Sequence, residues 1–117
     1  MPDKPPPDLE AVRAQLAQLR HAYHQELAHK RRELDQLYAQ AHEQLWHPST
    51  LPPLLLALHK LAGSAGTFGF EQLSTLAHRA EEQVRRVKSQ HAPIKPEEQV
   101  QLEQVLNVIL ESWPEPI

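Results

Sequence analysis

The 117-residue chain contains no cysteine. Disulfides and thiolate metal sites are therefore excluded, and a cytoplasmic location is permitted. No apolar run reaches the ~20 residues that a membrane-spanning helix needs. The opening MPDKPPPDLE lacks the apolar segment of a secretory signal. Positive charge is not in excess, since the formal net charge is -3. Dedicated nucleic-acid binders are normally basic, so neither nucleic acid nor a membrane is expected as a partner. The Walker pattern GxxxxGK[ST] and the zinc motif HExxH are also missing, so the chain has no means of activating ATP by itself. Glycine is scarce. Only Gly63, Gly66 and Gly69 occur, all within the stretch LHKLAGSAGTFGF, Leu58 to Phe70. Glycine weakens a helix by about 1 kcal/mol relative to alanine, so the cluster needs a reason.

Proline is plentiful and parses the chain, because it sits poorly inside helices. Its eleven positions leave residues 8–47, 54–92 and 97–113 free. Residues 1–7 and 114–117 read as tails around one helical domain, 8–113. The first stretch is rich in helix formers, with Asp8 as a candidate cap. Leu9, Val12, Leu16, Leu19, Tyr23, Leu27, Leu34, Leu37, Ala41 and Leu45 recur at spacings of three, four or seven. That predicts one long helix, or two with a kink near residues 20–30. A second helix starts at STLPP, capped by Ser49 or Thr50, and reaches about Gly66. A third spans about 70–90, with Phe70, Leu73, Leu76, Ala77, Ala80, Val84 and Val87 on one face. After the loop HAPIKP, a fourth covers about 97–113 and buries Leu102, Val105, Leu106, Ile109 and Trp113. The expected fold is all-α: an up-and-down four-helix bundle with a long or kinked N-terminal helix.

On a helical wheel of the second helix, Leu54, Ala57, Leu58, Leu61, Ala65 and Phe68 gather on the side expected to face the core. His59 points roughly opposite. Ala62, Gly63 and Gly66 lie within about a sixth of a turn of it, and Pro52, Leu55 and Leu56 flank the same line. A solvent face would normally carry Lys, Glu or Gln. This face is bare, and bare helix faces invite a partner. Unperturbed imidazole titrates near ~6.5 and offers a nucleophilic nitrogen when neutral. Such a nitrogen accepts a phosphoryl group if a partner presents one in line and no bulky neighbour blocks the approach.

At these residues the chain resembles histidine phosphotransfer (HPt) domains. HKLAGSAGTFGFEQLSTLAHRAEE is similar to their signature H-x-L-K-G-S-A-x-x-x-G followed by a helix ending in L-E. His59, Leu61, Gly63, Ser64, Ala65 and Gly69 match, and Glu81 falls near the later acidic position. The resemblance implies that His59 is a phosphoacceptor on Nε2, and that Gly63 allows close approach. It implies partners that are receiver domains of response regulators or hybrid sensor kinases, in multistep phosphorelays. It also implies no cofactor of the chain's own, with Mg²⁺ on the partner receiver domain. The family's usual lysine is replaced by Ala62. Lys60 stands ~100° away on the helix and is not an equivalent substitute. With Ser64, the residues considered for steadying the phosphoryl group are Lys60, His78 and Arg79. Leu55, Leu56, Ala62, Gly63 and Gly66 form the expected docking strip.

Other readings remain beside this one. The runner-up is a non-phosphorylated helical adaptor that regulates a receiver domain or signalling enzyme by binding. His21 and His24 share a helix face, but no second clustered pair accompanies them, so no metal site is expected. The N-terminal stripe is longer than a compact bundle needs. A monomer is the default, with dimerisation through this helix as the alternative.

Overall fold

A computed structural model describes residues 8–90 and 92–117. The expected tail at 1–7 lies outside the described residues. Four helices follow one another: α1 (Leu9–Glu43), α2 (Leu51–Thr67), α3 (Glu71–Ser89) and α4 (Pro96–Glu111), with a 3₁₀ turn at Pro48–Thr50 leading into α2. They form the expected all-α bundle, and no described helix is long and apolar enough to cross a membrane. α1 is one unbroken helix of 35 residues. Helix kinks need a cause such as proline or glycine, and this segment has neither. Asp8 caps it as expected, Oδ1 accepting from the Glu10 and Ala11 amides at 3.0 and 3.4 Å.

The core is mostly aliphatic, with Tyr23, Trp46 and Trp113 also buried in it. Leu54, Leu58, Leu102, Leu106 and Ile109 have no exposed surface, and each such burial contributes about 1.5–3 kcal/mol. α1 joins this core only from Tyr23 onward; every described residue from Asp8 to Ala22 is exposed. The C-terminal residues return along α1, where His24 Nε2 donates to the Glu115 carbonyl at 2.6 Å.

Three local expectations change. The α2 entry is not capped by the Ser49 or Thr50 side chain. His47 Nδ1 instead accepts from the Ser49 amide at 3.2 Å, and Thr50 Oγ1 donates back to the His47 carbonyl at 2.7 Å. Both hydroxyl residues sit in the 3₁₀ turn, so the cap lies upstream of it. Second, α4 stops at Glu111, yet Trp113 is still buried at 8% exposure. Third, Leu45 does not extend the core stripe of α1. The helix has ended, and Leu45 and Trp46 both take left-handed backbone, φ 53° and 57°. This reverses their side chains: Leu45 is 78% exposed and Trp46 is 1% exposed.

The ends of α1 and α2 use the same hydrogen-bond closure. The Trp46 amide donates to the Ala41 carbonyl at 2.7 Å, and the Phe70 amide donates to the Ala65 carbonyl at 2.8 Å. Gly69, at φ +83°, occupies in α2 the position that Leu45 occupies in α1. The expectation that Gly69 turns the chain holds, since that conformation costs glycine little and leucine about 1–2 kcal/mol.

Candidate functional site

α2 and α3 form the tightest hairpin of the bundle, and the site lies across it. α2 buries Leu51, Leu54, Leu58, Leu61, Ala62 and Ala65. His59 falls just outside that arc, with 66% of its side chain exposed. Its neighbour across the hairpin is Glu81 on α3, whose side chain is only 5% exposed. His59 Nδ1 lies 2.7 Å from Glu81 Oε1. An ionised carboxylate only accepts, so Nδ1 carries the proton and donates. In the neutral imidazole Nε2 is then the free nitrogen with its lone pair available.

Glu81 has a second firm partner. Arg85 Nη2 donates to the same Oε1 at 2.8 Å, one turn along α3. His78 Nδ1 stands 3.6 Å from Oε2, outside hydrogen-bond range. Burial pushes the Glu81 carboxyl up, but the hydrogen bonds and charges of His59 and Arg85 outweigh it and hold the group below its ordinary 4.5. The result is a buried anion fixed between an exposed imidazole and an exposed guanidinium.

The structure sorts the expected site residues into different places. Ser64 does not face His59. Its hydroxyl bonds the Tyr23 hydroxyl at 2.7 Å and donates to the Lys60 carbonyl at 2.9 Å, tying α2 to α1. Lys60 lines a small cleft with Lys30 and Glu33 of α1, on the flank away from Glu81. Arg79 is exposed and, among the described residues, joins no ion pair; the cation beside the pair is Arg85. The hairpin turns about Gly69 and Phe70, so Glu81 rather than His78 or Arg79 comes level with His59.

The docking strip also needs correction. Ala62 is 1% exposed and cannot contact a partner. α3 packs over that edge of α2, where Ser74 Oγ donates to the Ala62 carbonyl at 2.7 Å. Leu56, at 53%, and Gly63 and Gly66 stay exposed, while Leu55 is half-buried. The two helical glycines differ. A Cβ at Gly63 would meet nothing within 4 Å, whereas one at Gly66 would press on Ser74 Oγ at 3.0 Å. Gly63 therefore opens space toward solvent, and Gly66 makes room for α3.

This difference sets an expected result. Gly63→Ala should stabilise the bundle by about 0.5–1 kcal/mol in urea unfolding, the helix-propensity gain over glycine. Gly66→Ala should gain less, because Ser74 Oγ, which donates to the Ala62 carbonyl, must shift by a few tenths of an ångström to admit the methyl. If Gly63 is kept for access, Gly63→Gln will fold normally yet lose partner-dependent chemistry at His59.

Sequence reasoning missed two features. Arg85 is one. The other is an open cleft of ≈ 1090 Å³ lined by Leu51, Leu55, Trp46, Ile94, Lys88 and Arg85, which begins one turn from His59. The Glu81–Arg85 pair is an i,i+4 contact within α3, but its place beside His59 follows from the α2–α3 register, and the cleft follows from the left-handed turn at residues 45–46. Among the described residues no group of three or more potential ligands is placed to hold a metal ion.

Comparison with curated proteins and with solved structures gave no match. A family model described as "Hpt domain" matches residues 6–112, a span that includes His59, Glu81 and all four helices, and the chain belongs to that family.

Proposed function

We propose that this chain is a phosphocarrier in which His59 takes a phosphoryl group from an aspartyl phosphate on one receiver domain and passes it to another. The observation that carries the reading is the exposed imidazole whose Nδ1 proton is held by buried Glu81. In the forward step the Nε2 lone pair forms an N–P bond as the aspartyl P–O bond breaks, its electrons returning to the aspartate oxygen. Positive charge grows on the imidazole ring, and the Glu81 carboxylate stabilises it through Nδ1–H. No proton has to leave the chain. Transfer of this kind rests on positioning and charge neutralisation. The receiver's own acidic pocket and Mg²⁺ are expected to supply most of both, with Gly63 leaving the approach clear. Leu55, Leu56, Gly63 and Gly66 remain as the docking strip.

The test is incubation with a phosphorylated receiver domain from the source organism. Acid-labile, base-stable label on the chain, absent from His59→Gln, is the expected outcome. Tight binding without label would overturn phosphotransfer and favour the adaptor reading.

A further inference from the structure

The first third of α1 has an apolar seam that nothing in the described chain covers. Leu9, Val12, Leu16 and Leu19 are 64, 42, 59 and 51% exposed. Their spacing of three, four and three is that of a and d positions in a two-stranded coiled coil. Helices of this length without tertiary support are marginal in water, so an exposed apolar seam on a fully capped helix calls for a cover. On a wheel the seam lies within about 40° of Tyr23, Leu27 and Leu34, the residues that face the chain's own bundle.

That alignment limits what can cover it. A second α1 running parallel would continue into the space already filled by α2 and α3. An antiparallel one would leave in the opposite direction, with its own bundle beyond residue 9. The antiparallel register also closes on itself: Leu9 meets the partner's Leu19, and Val12 meets the partner's Leu16, giving four a–d layers with no polar residue. We propose that two copies of this chain associate through residues 9–19 of α1 as an antiparallel pair, placing the two bundles at opposite ends. Four layers make an interface near or below the ~1,200 Å² that marks weak or transient association. The pair should therefore be reversible at micromolar concentrations. Its dyad brings Arg13 beside the partner's Arg13, a like-charge contact that keeps the association weak.

The absence of cysteine makes the test clean, because each introduced thiol is unique. Sedimentation equilibrium should show the average mass rising from one chain toward two between about 1 and 200 μM. Leu16→Glu should weaken association at least ~10-fold, and Arg13→Gln should strengthen it. Leu16 lies outside the core, so its variant should keep the unfolding midpoint that the wild type shows when dilute. Under mild oxidation, Gln15→Cys should cross-link, because the two positions flank the dyad with an axial offset of only ~3 Å. Leu16→Cys, which would face itself in a parallel pair, should cross-link poorly. A single-chain mass across the whole range would overturn the proposal, as would association indifferent to Leu16→Glu or cross-linking through residue 16 instead of 15. None of these measurements depends on the reading of His59.

Discussion

Replacing Glu81 with leucine is expected to slow phosphotransfer through His59 by about 10- to 100-fold, by analogy with the loss when a carboxylate orienting a metal-bound imidazole is removed. The leucine fills similar space but cannot accept from Nδ1, so the ring loses both its fixed tautomer and its counter-charge. Glu81→Gln keeps an acceptor and removes the charge, and should fall between leucine and wild type. Transfer rates from a phosphorylated receiver measure the effect, and imidazole ¹⁵N shifts report the tautomer. A purely structural Glu81 would leave those shifts unchanged. The same residue links stability to pH. A carboxyl held below its unfolded value favours the fold wherever it is ionised. Its contribution is complete above about 4.5 and fades as pH falls through the lower folded value. The stability gap between wild type and Glu81→Gln should therefore close on acidification.

The largest expected loss of stability is at Trp46. Its indole is 1% exposed and its Nε1 donates to Glu103 Oε1 at 3.3 Å. Trp46→Ala should cost about 3–5 kcal/mol in urea unfolding, as large-to-small core replacements of aromatic residues do. Leu45→Gly is the informative companion. It relieves left-handed strain at an exposed side chain, so it should stabilise by about 1 kcal/mol. The opposite signs at adjacent residues separate the packing of the indole from the backbone conformation that delivers it.

These residues also show what the sequence conveys and what it does not. Proline positions and the stripe of α1 were enough for four helices and their order, because both act locally. His59 was legible from its glycine-flanked motif, and Gly69 from its turn. Glu81 could be noticed as an acidic residue near the expected position, but its bond to His59 could not. That contact depends on the hairpin register, which is set by where the chain turns, at Gly69 and Phe70. Ala62 was misplaced for a related reason. The wheel placed it a sixth of a turn from His59, and that small angle separates buried from exposed once α3 packs on the edge of α2. Arg85 took the place expected of Lys60 or Arg79 because the cation is chosen by distance to Glu81, not by distance along the chain to His59.

The pairing of Glu81 with Arg85 has a consequence for the timing of a relay. Their charges cancel, so before loading these two residues add no net charge to the surface around His59. A phosphoryl group brings roughly two negative charges to that surface. A receiver with an acidic phosphate pocket would thus approach an electrically quiet face to donate, and would leave a strongly anionic one behind. The carrier would hold its partner loosely after delivery because its own surface had gained negative charge beneath it, and separation would be driven by the cargo itself.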